Sequence, residues 1–419
     1  MLKQLILENW KSFRYAELPL DPLTVLIGTN ASGKSNVVEA LEFLQRIAQG
    51  ENIESALAGD KTLASIRGGV DWAARKPESQ FTLKVLVQGE DETTDYLYVI
   101  KIETLPEVKV IKEYIEFQIL QENSELEQFK ALNVKNSVFY TKSGLQSIDS
   151  RINLIELEEL NRFFAKEISQ HENAVNFLND YYLPFKLKIA SFVISTLEKT
   201  FILNPIPSQM RDYSRLSDTL ESDASNIAGV LAGLSEQQKE EVESALSDYI
   251  KDLPEGDIKK VWAEKVGRFG TDAMLYCQEE WQHGEITEID ARSMSDGTLR
   301  FLAILTALLT RPEGSQLVIE EIDNGLHPSR AKLLVKILRE IGSKRNIDIL
   351  ITTHNPALLD ALGPEIVPFV VVAHRDSETG ESKLTILEEI DNLPLLLASG
   401  TLGKLATKGA IEKSLSDHK

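Results

Sequence analysis

The chain has 419 residues, 42% hydrophobic and 26% charged, a balance that excludes wholesale disorder and predicts roughly two or three domain-sized units. Its single cysteine, Cys277, excludes an internal disulfide and a cysteine-based zinc site, which favours a cytoplasmic location. The net charge of −20 disfavours nonspecific nucleic-acid binding, because that binding depends on Lys and Arg releasing counterions. The apolar runs are too short to cross a bilayer, so we expect no membrane association.

The sequence pattern in the first third of the chain predicts several strands and one helix. Strands are expected at Leu2–Glu8 and Leu23–Ile27, on either side of a turn at Leu20–Pro22. A helix is expected from Ser35 to about Gln49, because its apolar residues recur on one side. Further strands are predicted at Phe81–Val87, Tyr96–Ile102 and Val108–Leu120.

The middle of the chain is predicted to be helical from about Arg151 to Ile258, with a Pro-rich break at Asn204–Pro207. Its predicted helices are Ile152–Ser169, Glu172–Asp180, Lys186–Phe201, Ile227–Leu234 and Ser235–Leu253. We interpret this block as a compact helical insertion over residues 141–260. It would separate an N-terminal lobe over 1–140 from a C-terminal lobe with a tail over 261–419.

The last part of the chain alternates strands with helices, which predicts a mainly parallel sheet and an α/β fold. Strand patterns occur at Val261–Trp281, Glu285–Ala291, Gln316–Glu320, Ile347–Thr352, Val367–Ala373 and Lys383–Leu387. Helices are predicted at Thr298–Thr310 and Ser329–Ile341. The tail after Leu393 would either dock a partner or pack on its own lobe.

The strongest motif is the segment Gly28–Ser35, which reads GTNASGKS and fits the phosphate-loop pattern G-x-x-x-x-G-K-[ST]. It follows an apolar run and opens a helix, which is the context that the motif requires. Lys34 would reach the β- and γ-phosphates of a nucleotide, and the Ser35 hydroxyl would ligate Mg²⁺. The predicted nucleotide-binding residues are Asn30, Ala31, Ser32, Gly33, Lys34, Ser35 and Asn36.

The second motif is an apolar run that ends in two carboxylates, Leu317–Glu321. Glu320 is predicted to hold Mg²⁺, and Glu321 to polarise the attacking water as general base. Taken alone, the same pattern also fits a buried strand that runs into a solvated acidic turn. The phosphate-loop motif upstream favours the metal and base roles.

Two weaker motifs also predict contacts with phosphate. Ser295 and Gly297 lie at a predicted helix start, where backbone N–H groups and a hydroxyl would face an anion. The alternative interpretation is that Ser295 or Asp296 is an ordinary N-cap of that helix. His354 follows an apolar strand and would donate a hydrogen bond to a γ-phosphate. A lone histidine is more often structural, so this role depends on the other motifs.

In order, these motifs resemble those of ABC-type ATPase heads of the RecF/SMC class. Gly28–Ser35 resembles Walker A, Leu317–Glu321 resembles Walker B with the catalytic glutamate, and His354 resembles the switch histidine. Ser295–Gly297 resembles a divergent signature motif. The resemblance implies an α/β P-loop NTPase head that uses ATP and Mg²⁺, with Lys34, Glu321 and His354 as catalytic residues.

Two further segments extend the resemblance. Asn324–Pro328 resembles the segment after Walker B that contains the D-loop. Glu8–Phe13 is similar to the family's N-terminal strand and loop, which implies that Lys11 and Arg14 approach the nucleotide. Two departures stand out, because Asp296 replaces the usual glycine of the signature and Glu320 replaces the usual aspartate of Walker B.

The resemblance also implies an assembly. Two copies would pack head to tail as a homo-oligomer, with ATP between Walker A of one copy and Ser295 and Gly297 of the other. The compact insertion is most similar to that of standalone "AAA family" ATPases of bacterial anti-phage systems, which often control a separately encoded effector, frequently a nuclease. Two alternatives remain open, a DNA-repair ATPase of RecF type and a nuclease toxin with its active site in the insertion.

A local basic region bears on the DNA alternative. Its residues are either a DNA-binding strip or, as we favour, the solvated face of a helix: Arg330, Lys332, Lys336, Arg339, Lys344 and Arg345.

Overall fold

The computed structural model describes residues 1–90, 94–120, 126–132, 183–282 and 284–416. The chain divides into two compact units. The first unit comprises Met1–Leu20, Ser35–Thr200 and Arg375–Leu384, and the second comprises Asp21–Lys34, Phe201–His374 and Thr385–Lys419. The predicted helices Ile152–Ser169 and Glu172–Asp180 lie outside the described residues, so the limits of the predicted insertion stay a prediction.

The first unit contains an antiparallel sheet. Its strands are β1 (Leu2–Trp10), β2 (Phe13–Pro19), β4 (Gln80–Gln88), β5 (Thr94–Glu103), β6 (Lys109–Leu120) and β7 (Leu126–Leu132). They form a six-stranded sheet in the order β2-β1-β4-β5-β6-β7. The helices of this unit are α1 (Lys34–Ala48), which begins at the unit boundary, α2 (Ile53–Ala58) and α3 (Leu183–Glu198).

Helix α1 packs its apolar side on this sheet through an aromatic cluster. The rings of Trp10 and Phe81 lie 4.9 Å apart, and that of Phe43 on α1 lies 6.0 Å from Phe81. All three side chains are fully buried, so this contact contributes several kcal/mol of apolar burial to the unit. The predicted helix from Ser35 to Gln49 and the strand predictions at Phe81–Val87 and Tyr96–Ile102 are confirmed to within a few residues.

Strand β2 is absent from the sequence-based prediction. Phe13, Ala16 and Leu18 are buried, but exposed Arg14 and Tyr15 stand between the first two of them. This irregular burial hides the period of two that marks a strand. The chain turns back directly after β1, so β2 pairs with β1 in an antiparallel hairpin.

The second unit is built on a mainly parallel sheet. Its strands are β3 (Leu23–Ile27), β8 (Thr200–Leu203), β13 (Gln316–Ile319), β14 (Asp348–Thr352), β15 (Val370–Arg375) and β16 (Ser382–Ile386), the first three residues of β16 being assigned to the first unit. Their order is β16-β15-β3-β14-β13-β8, and β15, β3, β14 and β13 pair in parallel. Strands β13 and β14 are buried throughout, and apart from the polar residues at their ends they are continuous apolar runs. This sheet confirms the predicted α/β class.

A smaller antiparallel sheet belongs to the same unit. Its strands are β9 (Ser214–Arg215), β10 (Ile258–Val266), β11 (Asp272–Gln282) and β12 (Glu285–Asp290). The order is β10-β11-β12, and β9 pairs with β11. The strand pattern predicted over Val261–Trp281 is confirmed, and a turn at residues 267–271 divides this segment into β10 and β11. Gly267 and Gly270 have positive φ there, which glycine tolerates without strain.

Helices of the second unit cover its parallel sheet and form its tail. They are α4 (Pro207–Met210), α5 (Ile227–Gly233), α6 (Glu236–Lys251), α7 (Asp296–Thr310), α8 (Ala331–Lys344), α9 (Pro356–Leu362), α10 (Leu393–Ser399), α11 (Leu402–Thr407) and α12 (Ala410–Ser416). Short 3₁₀ turns occur at Ala291–Ser293, Pro328–Arg330, Pro364–Phe369 and Leu387–Glu389. In the described part of the chain, no helix has the length and apolar character needed to span a membrane.

The tail packs on its own unit. The backbone N–H of Gly403 in α11 donates to Asp360 of α9 at 2.7 Å. A Cβ on Gly403 would lie 2.1 Å from the carbonyl oxygen of Pro356, so only glycine permits this close approach. Ile411 of α12 is buried in the core of the unit. Of the two alternatives for the tail, packing on the lobe is therefore the one observed.

Candidate functional site

The phosphate-loop motif occupies the turn between β3 and α1. Gly28 has φ 144°, and a Cβ at this position would lie 2.1 Å from the carbonyl oxygen of Ala373. Ala31 and Gly33 also have positive φ, so the loop curls tightly after the strand. Such a loop aims successive backbone N–H groups at one point, which suits a phosphate.

Lys34 lies inside this loop. Its Nζ donates to the carbonyl oxygens of Gly28 at 2.6 Å and Thr29 at 3.1 Å. Burial lowers the pKa of Lys34, and the negative charges of Glu321, Glu320, Asp323 and Glu412 oppose that shift. The ammonium group therefore lies in a partly desolvated place with carboxylates nearby, where a triphosphate would offer it a stronger partner.

The two predicted carboxylates follow directly after β13. Glu320 is half-buried and Glu321 is exposed. Glu321 has φ 47°, a left-handed conformation that is rare for a residue other than glycine. Its backbone N–H donates to the Thr352 hydroxyl at 2.8 Å, and Thr352 is fully buried at the end of β14. The neighbouring strand therefore holds the turn that carries Glu321.

Further contacts tie the strand ends together. The Thr353 hydroxyl donates to Asp323, and the backbone N–H of Thr353 donates to the carbonyl oxygen of Leu26 in β3 at 3.2 Å. His354 comes next in the chain and its side chain is exposed. The carboxyl ends of β3, β14 and β13 thus present the Lys34 loop, His354 and the glutamate pair at one edge, where open α/β sheets bind ligands.

The predicted signature segment lies at the start of α7. Ser295 is the N-cap, and its hydroxyl accepts from the backbone N–H of Thr298 at 3.1 Å. Asp296 forms an ion pair with Arg211 at 2.6 Å. A Cβ on Gly297 would lie 2.8 Å from the carbonyl oxygen of Gly325. The capping role of Ser295 is confirmed, while anion binding by Ser295 and Gly297 stays a prediction.

Residues of the first unit have defined partners within that unit. The Lys11 ammonium pairs with Glu39 and donates to the Arg67 carbonyl oxygen at 2.7 Å. Arg14 pairs with Glu381 at 2.8 Å. The Asn36 amide donates to the Ser12 hydroxyl at 2.7 Å. The predicted contacts of Lys11, Arg14, Ser35 and Asn36 with a nucleotide or its metal stay predictions.

The second-unit residues fit a nucleotide and its metal. The Ser32 hydroxyl is buried without a hydrogen-bond partner among the described residues, and the backbone at Gly28 leaves no room for a side chain. The carboxylates of Glu320 and Glu321 are the hard oxygen donors that Mg²⁺ prefers. Mg²⁺ usually takes one or two carboxylates and completes its shell with phosphates and water. This donor set matches a magnesium ion that arrives with a nucleotide.

Three residues of this region were not anticipated. Thr352 and Arg211 act through contacts with residues 31 and 85 positions away in sequence, so their partners cannot be identified from local motifs. Glu412 lies in the tail and influences Lys34 electrostatically. The polar pair Thr352-Thr353 at the end of an apolar strand was the available signal for the first of them.

Among the residues that the structure describes, no group of three or more His, Cys, Asp or Glu side chains is arranged to hold a metal ion. His171 of the predicted insertion lies outside the described residues.

Comparison with known proteins places the chain in a family. The family described as "AAA domain, putative AbiEii toxin, Type IV TA system" matches residues 23–360. Comparison with curated proteins finds no match. Among solved structures, the SMC head domain from Thermotoga maritima is similar, with a TM-score of 0.44, 13% identity, and coverage of 92% of this chain and 98% of that one.

Two complexes of Smc heads are also similar. The SmcHead bound to the C-winged helix domain of ScpA has a TM-score of 0.49 and 14% identity, and covers 92% of this chain and 97% of that one. The Smc head with an extended coiled coil, bound to the C-terminal domain of ScpA derived from Pyrococcus furiosus, has a TM-score of 0.47 and 12% identity, with coverage of 95% and 99%. Because the family model spans most of the sequence, the chain belongs to this AAA domain family of the AbiEii type.

Proposed function

We propose that the protein is an ATP-hydrolysing switch whose nucleotide binds at the Lys34 loop. The observation that carries this proposal is the meeting of three strand ends, which brings the loop, the Glu320–Glu321 pair and His354 to one edge of the parallel sheet. The family membership supports it independently. Each of these groups has a distinct role in phosphoryl transfer to water.

The residues divide the chemistry as follows. Lys34 and the loop amides hold the β- and γ-phosphates and neutralise their charge. Glu321 accepts a proton from the attacking water, and His354 donates a hydrogen bond to the γ-phosphate. When bound, Mg²⁺ supplies additional positive charge at the phosphates, with Ser35 and Glu320 as its protein ligands. Glu320 replaces the usual aspartate and retains the carboxylate that this role needs.

We further propose that hydrolysis needs a second copy of the chain. Glu321 and His354 are exposed, so water has free access to the catalytic groups in one copy. A head-to-tail homodimer would cover them, with Ser295 and Gly297 of the partner copy facing the γ-phosphate. ATP binding would then shift an equilibrium between open and closed assemblies, and hydrolysis by Glu321 would reset it.

We propose that this switch controls a separately encoded effector, of which a nuclease is one type, in a bacterial anti-phage system. The family description names a Type IV TA system, which fits a protein that works together with a second component. The DNA-repair alternative has less support from the basic region on α8. Arg330, Lys336 and Arg339 are each paired with a carboxylate, and Arg345 donates to a backbone carbonyl.

The test is a hydrolysis assay with purified protein. The wild-type chain should release phosphate from ATP with Mg²⁺, while Lys34→Ala should abolish ATP binding in calorimetry and Glu321→Gln should bind ATP but turn it over far more slowly. Lys332→Ala is the matched control, because Lys332 is an exposed lysine of the second unit. Wild-type affinity in Lys34→Ala, or wild-type turnover in Glu321→Gln, would refute the assignment.

A further inference from the structure

Asp296 presents an electrostatic problem at the start of α7. The N-terminus of a helix attracts anions because its backbone N–H groups are unpaired and the helix dipole is positive there. A side-chain carboxylate at the first position of the helix opposes that attraction for any incoming phosphate. Asp296 is exposed, so its charge is accessible to an approaching ligand.

Arg211 forms an ion pair with this carboxylate. Its Nη2 donates to Asp296 Oδ1 at 2.6 Å and to the carbonyl oxygen of Met294 at 2.9 Å. The guanidinium thus contacts both sides of the Ser295 cap. Arg211 immediately follows α4, in the segment after the Pro-rich break.

A second arginine provides free donor capacity at the same helix start. Arg330 is 8% exposed, and its Nε is paired with Glu255. Its Nη1 is buried without a hydrogen-bond partner among the described residues. This nitrogen would lie 3.1 Å from a Cβ placed on Gly297. A buried guanidinium nitrogen without a partner, beside a helix N-terminus, indicates a place where an anion completes the hydrogen bonding.

We propose that Arg211 is a positioning residue that neutralises Asp296, so that the start of α7 remains attractive to the γ-phosphate of a nucleotide bound by a second copy. The inference rests on the proposed function and deepens it. It explains how a Ser-Asp-Gly sequence performs the task of Ser-Gly-Gly: the aspartate and Arg211 together are neutral, and the Nη1 of Arg330 offers an unused hydrogen-bond donor beside Gly297.

The Arg211–Asp296 ion pair contributes little to the stability of the fold. The side chains of Arg211 and Asp296 are 27% and 67% exposed, and ion pairs this accessible to water contribute little to folding stability. The loss of Arg211 should therefore leave the fold intact. It would expose an uncompensated carboxylate to the incoming phosphate.

The test is a double-mutant cycle with Arg211→Met, Asp296→Asn and the combined variant. Arg211→Met should lower ATP turnover and ATP-dependent dimerisation by about tenfold or more, because an unpaired charge a few ångströms from a phosphate repels it. Adding Asp296→Asn should restore both to within about threefold of wild type, since the charge to be neutralised is gone. Melting temperatures should stay unchanged throughout the series.

Arg339→Met is the matched control. Arg339 also bridges a carboxylate and a backbone carbonyl, Glu365 at 2.8 Å and Leu362 at 2.7 Å, and it should keep wild-type turnover when replaced. Arg211→Met with the turnover of Arg339→Met would overturn the inference, as would a combined variant as impaired as Arg211→Met. Either result leaves the proposed function standing if the wild type hydrolyses ATP. A wild type that neither binds nor hydrolyses ATP would overturn both proposals.

Discussion

The backbone N–H of Glu321 donates a hydrogen bond of 2.8 Å to the hydroxyl of Thr352. Glu321 is held at φ 47°, a conformation that costs a non-glycine residue about 1 kcal/mol or more. Thr352 ends β14, two residues before His354. One strand end therefore fixes the proposed general base and also leads into the proposed switch histidine, which couples their positions.

Replacing Thr352 with valine should impair turnover more than nucleotide binding. Valine keeps the shape but removes the acceptor, so the Glu321 N–H loses its partner and the turn loosens, at a cost of about 1–3 kcal/mol. We expect kcat to fall about tenfold while KM for ATP changes little, as steady-state kinetics would measure.

The control for this substitution is Thr306→Val on α7. Thr306 is equally buried, but its hydroxyl has no hydrogen-bond partner among the described residues. The same chemical change there should leave kcat unaltered. Equal kcat values for the two variants would show that the contact with Glu321 does not serve catalysis.

Gly28→Ala should destabilise the fold, in addition to any effect on the nucleotide. The new Cβ would lie 2.1 Å from the Ala373 carbonyl oxygen, and φ 144° is already unfavourable for alanine. We expect the free energy of unfolding to fall by about 2 kcal/mol or more in chemical denaturation. Gly314→Ala is the control, because Gly314 has φ 72° but open space around it, and only about 1 kcal/mol should be lost. Equal losses would rule out the steric argument.

The first unit should show a pH-dependent stability that depends on Glu113. Burial raises the pKa of Glu113 from 4.5 to about 7, against the opposing effect of the hydrogen bond from Tyr98. Between these two pH values the native state holds a proton that the unfolded chain has released. The free energy of unfolding should therefore fall as pH rises through this window and remain lower above it.

Comparison with Glu113→Gln isolates this contribution. Between about pH 5.5 and pH 8, the wild type should lose about 2 kcal/mol of stability relative to the variant, as denaturant titrations at the two pH values would show. Glu107→Gln, at an exposed position of the same unit, should follow the wild type. A constant difference between wild type and Glu113→Gln would mean that Glu113 is already ionised in the native state at the lower pH.

Glu412→Gln should tighten ATP binding. The Glu412 charge acts on Lys34, and its Oε2 is buried without a hydrogen-bond partner among the described residues. A carboxylate in this position repels a triphosphate, so its removal should lower the Kd for ATP by about threefold to tenfold in calorimetry. Glu389→Gln, an exposed change shortly before the tail, should leave Kd unaltered. Weaker binding in Glu412→Gln would indicate instead that Glu412 supports the site.

The parts of the fold that could be predicted are those encoded locally. Strand β3 was predicted with its observed limits, because Leu23–Ile27 is a nearly continuous buried run that ends at the glycine of a contiguous motif. Strand β8 was not predicted from the sequence. Thr200–Leu203 follows α3 almost directly, and its apolar residues continue the helical pattern. Local periodicity cannot separate the two states in so short a segment.

The same division applies to the site. Residues 28–35 and the pair Glu320–Glu321 each lie within one short segment, so their chemistry could be predicted from the sequence. The partners Thr352 and Arg211 meet Glu321 and Asp296 only after folding, across gaps of 31 and 85 residues. A single sequence contains no signal for such pairs, since their geometry comes from the topology of the sheet and the helices around it.

The central claim is that a nucleotide at the Lys34 loop is hydrolysed only when a second copy of the chain covers it. Sedimentation velocity of Glu321→Gln with ATP and Mg²⁺ tests this most directly, with the combined Lys34→Ala and Glu321→Gln variant as the control. We predict that Glu321→Gln converts from monomer to a stable dimer on adding ATP, and that the control stays monomeric. A Glu321→Gln protein that binds ATP in calorimetry yet sediments as a monomer at every protein concentration would contradict the account.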